Sequence, residues 1–127
     1  MKKVTIQFEK CIQNIQELKT EDECMFSSVF MSLYYPSGKM ENISVNIKQT
    51  NGSDFVNDPL EVYSPSNLRV DSGQFRDEVE KYYRMCVGKN AFGIKLGTGN
   101  VSNIRMYNNT FKIPYKTEVN YVDNTND

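Results

Sequence analysis

The chain has 127 residues, of which 39% are hydrophobic, 12% aromatic and 24% charged, with a formal net charge of −1. That length suits a single domain built on its own core, and the composition excludes a disordered chain. A near-neutral balance with scattered basic residues argues against a nucleic-acid binder that works by neutralising phosphates.

Lys2-Lys3 leads straight into Val4, Ile6 and Phe8, which alternate with Thr5, Gln7 and Glu9. Period two marks a half-buried strand. With no apolar leader and no small-residue cleavage site, the sequence reads as lacking a signal peptide, and a cytoplasmic location is expected. Cys11 to Glu23 follows, where Ile12, Ile15 and Leu18 fit either one helical turn or an irregular stretch. Glu21-Asp22-Glu23 closes it as an acidic loop.

Met25 to Tyr35 is the second strand expected. Val29, Met31, Leu33 and Tyr35 share one face, while Phe30 and Tyr34 sit on the other among Ser28 and Ser32. This stretch falls far short of the roughly 20 apolar residues of a membrane helix. Pro36-Ser37-Gly38-Lys39 is turn chemistry. Met40 to Lys48 returns with Ile43, Val45 and Ile47 on one face and Asn42, Ser44, Asn46 and Lys48 on the other. A long loop over residues 50–59 and a short strand at Leu60 and Val62 come next.

Asp71 with Gln74 three positions on has the form of a capping box. Phe75, Val79, Tyr82, Tyr83 and Cys86 then make one apolar helical stripe, and Gly88 suits the end, so a helix is expected over about 72–87. Phe92, Ile94 and Leu96 alternate, Gly97-Thr98-Gly99-Asn100 turns, and Ile104 and Met106 return. Asn108-Asn109 suits a two-residue hairpin turn. Phe111, Ile113, Tyr115, Thr117, Val119 and Tyr121 line one face of a last strand, and Pro114 places that strand at a sheet edge. The expected fold is mainly β and antiparallel: a sandwich or single curved sheet of about seven strands with one inserted helix. Residues 1–122 are expected to form one globular domain, with 123–127 as a frayed tail.

The chain contains no histidine, which removes Ser-His-Asp and Cys-His catalysis and every histidine-based metal site. Gly97-Thr98-Gly99 leads into a strand, so no helix N-terminus is there to receive a phosphate. Cys11, Cys24 and Cys86 show no CxxC spacing and are read as reduced thiols, with a Cys11–Cys24 bridge as the alternative. No cofactor is implied, and no enzyme activity is expected.

Two surfaces remain. The first is the outer side of Met25–Tyr35, where Phe30 and Tyr34 are candidates for contact with another protein or a second copy. Either the helix covers that side or a partner does; the helix is the first choice, because its stripe ends in Tyr82 and Tyr83 and needs a surface. The second is an acidic loop set, Glu21, Asp22, Asp54 and Asp58, able in principle to bind Ca²⁺ through oxygen. In that respect the strand–acidic loop–long strand order of the first half is similar to that of C2 domains, although no C2 motif is present residue for residue. The resemblance implies a metal- or lipid-surface module as the alternative to a small non-enzymatic binding protein.

Overall fold

The computed structural model describes residues 2–15, 24–50, 60–65, 68–88 and 107–121. Strand β1 (Lys3–Ile15) opens with the alternation read from the sequence, burying Val4, Ile6 and Phe8. Its register with the next strand then slips between Phe8 and Lys10, a β-bulge at Glu9. One extra residue inverts the two-residue phase. Cys11 and Gln13 therefore turn inward, and both are fully buried. Residues Cys11 to Ile15 are strand, which corrects both alternatives expected for them.

Strands β2 (Cys24–Tyr34) and β3 (Met40–Thr50) form the expected hairpin, with Tyr34 opposite Met40 and Phe30 opposite Ser44. Its turn is closed by Gly38 N–H donating to Tyr35 O (3.0 Å) and Tyr35 N–H donating to Lys39 O (2.9 Å). Gly38 has φ 94°, a left-handed conformation that glycine adopts without a Cβ clash. Strand β4 (Glu61–Tyr63) pairs with β3.

Helix α1 (Ser72–Gly88) starts where its cap residue places it. Asp71 Oδ1 accepts from the backbone N–H groups of Gly73 (3.0 Å) and Gln74 (3.1 Å). Gln74 does not complete the box, because its side-chain Oε1 accepts from Asn120 N–H (3.0 Å) instead. The Asp71 N–H is satisfied by Asn120 O at 2.7 Å, so the cap also fastens the helix start to the end of the sheet. Asp71→Ala should cost about 1 kcal/mol, read as a lower urea midpoint with unchanged slope. A loss near zero would show that the cap is dispensable.

Strands β5 (Tyr107–Phe111) and β6 (Tyr115–Asn120) both pair with β1. The result is one antiparallel sheet in the order β4-β3-β2-β1-β5, with β6 beside β5 on the same edge of β1. Among the described residues the single-sheet form of the expectation holds, and no second sheet faces it. Two details of the last third are corrected. Asn108 and Asn109 are strand residues opposite Asn14 and Gln13, not a turn. The final strand is broken over residues 112–114, where Pro114 interrupts a ladder it cannot donate to. The strands expected at Phe92–Leu96 and Ile104–Met106 lie outside the described residues.

One face of the sheet is the core. Ile6, Leu33, Phe8, Met31, Val29, Val45, Ile47 and Val119 are buried there, and Phe75, Val79, Tyr82, Tyr83 and Cys86 of α1 close over them. The Phe8 ring stacks on Tyr82 with centroids 4.6 Å apart and also faces Tyr115 at 5.8 Å. No helix among the described residues is long and apolar enough to cross a membrane.

Candidate functional site on the open face of the sheet

Because α1 lies on the inward face of β1 and β2, it does not cover Phe30 and Tyr34, and the expectation that it would is corrected. The reason is volume: the stripe from Phe75 to Cys86 is matched by Phe8, Cys11 and Val29, all fully buried beneath it. Phe30 and Tyr34 project from the opposite face. Tyr34 is 46% exposed, and Phe30 is half-buried with the Lys10 ammonium 4.9 Å from its ring centroid.

Strand parity and register add three further groups to this face. Phe26 has the same parity as Phe30 and Tyr34 along β2 and is 50% exposed. Met40, opposite Tyr34, is 47% exposed, and Tyr63, opposite Asn46, is 52% exposed. The parity of Phe26 was available from the sequence alone. Met40 and Tyr63 needed the register of β3 and β4.

Between these apolar groups runs a row of neutral polar side chains. Ser28 Oγ donates to Asn46 Oδ1 at 3.0 Å. Ser32 Oγ lies 2.7 Å from Asn42 Oδ1 and 3.2 Å from Glu9 Oε1, which holds this serine inside the surface at 2% exposure. Glu9, Phe30, Asn42 and Ser44 line a shallow depression there. Charges sit around it in both signs: Lys48 pairs with Glu61 at 3.6 Å, and Lys116 and Glu118 lie on the β6 side. This arrangement offers a firm, mixed apolar and hydrogen-bonding platform.

Beneath the helix lies a second polar group that the sequence did not reveal. Gln13 and Ser27, paired across β1 and β2, are buried on the core face, as is Tyr83 of α1. Burial pushes the Tyr83 hydroxyl well above its ordinary pKa. Tyr82 is shifted the same way, chiefly by burial and then by Cys86, although its hydroxyl donates to Ile113 O. Neither Cys11 nor Cys86 is in a disulfide, so the Cys11–Cys24 bridge is not formed.

Glu21, Asp22, Asp54 and Asp58 lie outside the described residues. Among the described residues, no group of three or more acidic or cysteine side chains is placed to hold a metal ion. Compared with protein-family models, with curated proteins and with solved structures, the chain has no match.

Proposed function

We propose that the protein is a small non-enzymatic binding module that holds a protein partner against the outer face of its sheet. The supporting observation is the set Phe26, Tyr34, Met40 and Tyr63, each about half exposed on the face turned away from α1. Single exposed apolar groups are ordinary, but four on one face of a small domain mark an interaction surface. Aromatic residues and methionine are also the types enriched at protein contacts. The chemistry favours a partner that is uncharged at its centre. Ser28, Ser32, Asn42, Ser44 and Asn46 give hydrogen-bonding capacity without charge, while Lys10, Lys48 and Lys116 alternate with Glu9, Glu61 and Glu118. Such a face offers no continuous track for a phosphate backbone. A cytoplasmic setting, where thiols stay reduced, fits the absence of a disulfide at Cys11 and Cys86.

The test is a pair of aspartate substitutions, Phe26→Asp and Tyr34→Asp, on the intact chain. Each should leave the melting temperature within about 2 °C, as surface changes do. Affinity for a partner purified from the native host and titrated by calorimetry should fall at least about tenfold, equivalent to 1.4 kcal/mol. If the partner is a second copy, sedimentation will show a dimer that both variants abolish. Unfolding of both variants, or undiminished binding by both, would refute the proposal.

A further inference from the structure

We infer that the outer edge of β3 over residues 40–44 pairs with the same edge of a second copy of this chain, antiparallel about a two-fold axis at Asn42. The direction of the main-chain groups follows from bonds already in place. Tyr35 N–H donates to Lys39 O and Tyr35 O accepts from Gly38 N–H, so Tyr35 turns both groups toward the returning strand. In an antiparallel ladder that direction alternates from residue to residue. Leu33 therefore bonds its partner Glu41, Met31 bonds Ile43 and Val29 bonds Val45, in an unbroken register. Met40, Asn42, Ser44, Asn46 and Lys48 turn their N–H and C=O groups the other way. Counting from the far side of the sheet gives the same phase. Tyr121 N–H donates to Lys2 O, which leaves Thr5 bonding Tyr34 and the next residue, Tyr35, facing β3.

Strand β4 takes up only part of this edge, with Tyr63 and Glu61 opposite Asn46 and Lys48. Continued in that register, Pro65 would fall opposite Ser44, to which it has no N–H to donate. Among the described residues nothing bonds the outward main-chain groups of Met40, Asn42 and Ser44, and all three residues are exposed. Sheet edges are commonly blunted by charge, proline or a bulge. These three residues are uncharged, and no bulge interrupts the stretch.

The fit of the stretch to itself selects a second copy as the occupant. About Asn42, Met40 lies opposite Ser44 of the second copy and Asn42 lies opposite its counterpart, so the outward groups of all three residues are satisfied on both chains. The long Met40 meets the short Ser44, Glu41 meets Ile43, and no like charges fall directly opposite. Glu41 is already paired with Lys39 at 3.8 Å. The next outward position, Asn46, would face Gly38 of the second copy, where that strand has turned away, and Tyr63 holds it instead. Centring the pairing on Glu41 would oppose two carboxylates. Centring it on Ile43 would set Met40 against the Asn46 that β4 occupies. The Asn42 register joins the two sheets into one, with both helices on one side and both open faces on the other. It leaves the open face free and does not depend on the function proposed for that face.

The experiment measures the mass of the full chain by sedimentation equilibrium over a range of concentrations, with amide hydrogen exchange read residue by residue. The unaltered protein should reach twice the mass of one chain, with slowed exchange at Met40, Asn42 and Ser44. Ser44→Pro removes an N–H that bonds nothing within the chain, so it should stay folded, melt within about 3 °C of the parent and have the mass of one chain. Met40→Pro should behave the same way. Val45→Pro, whose N–H bonds β2, should melt far lower or fail to fold. Phe26→Asp should leave the dimer intact, because Phe26 lies opposite Lys48, away from this stretch. A single-chain mass at every concentration, a dimer that survives both Ser44→Pro and Met40→Pro, a dimer lost in Phe26→Asp, or unfolding of both edge proline variants would each overturn the inference.

Discussion

Phe8→Ala should destabilise the protein by about 3–5 kcal/mol, the usual cost of emptying a buried phenylalanine site. The ring is fully buried and packed against aromatics of two other elements, Tyr82 of α1 and Tyr115 of β6, which also contact each other. Aromatic pairs of this kind contribute about 0.5–1.5 kcal/mol beyond area alone. The cavity would open where helix and sheet meet, and collapse there is resisted by the β1 backbone, paired on both sides. Urea denaturation would show the midpoint drop sharply. By contrast, Phe26→Ala on the open face should change stability by less than about 0.5 kcal/mol. Equal losses at the two positions would mean that the assignment of inner and outer faces is wrong.

A steep loss of stability in alkali is the second large effect. Tyr82 and Tyr83 both have folded pKa values raised above the ordinary tyrosine value, mainly by burial. Below about pH 10 folded and unfolded tyrosines alike hold their protons, and the shift has no effect on stability. Above it the unfolded side chains ionise while the folded ones stay protonated. The unfolded state then binds fewer protons, so stability falls as pH rises, by up to about 1.4 kcal/mol per pH unit for each group. Cys11, raised in the same sense, begins to contribute lower, near its ordinary value of 9.0. Urea midpoints measured between about pH 8 and 11 should therefore decline with increasing slope. Tyr83→Phe removes one titrating group and should flatten the decline at the alkaline end. An identical slope in that variant would show that Tyr83 ionises in the folded protein as readily as in the unfolded one.

How far these features could be read from the sequence depends on how local their causes are. The helix was legible because cap, stripe and terminal glycine all lie within its own residues. The β2–β3 hairpin was legible for the same reason, since Gly38 and Pro36 fix the turn and the turn fixes the register. Cys11–Ile15 was not. The bulge at Glu9 shifts the phase, so Cys11 and Gln13 went inward while the apolar Ile12, which a helical spacing had recruited, took the other face. Asn108 and Asn109 misled because a propensity for turns was overridden by pairing with a strand almost a whole chain away. The same distinction holds at the candidate site. Phe30 and Tyr34 could be found from parity, but the absence of the helix from their face follows from how the stripe of α1 matches the other side, which no local pattern encodes.

The pairing of β1 also sets the order in which the protein can be made. Of the described strands this one leaves the ribosome first, yet its second edge is filled by β5 and β6, the last of them to appear, with Lys3 opposite Asn120. Until they appear β1 can hold only the β2 side of its ladder, and its other row of N–H and C=O groups waits in water. Closing so long a loop comes late and slowly in folding. For that interval the nascent chain presents an unpaired edge of the kind that recruits strands from other molecules.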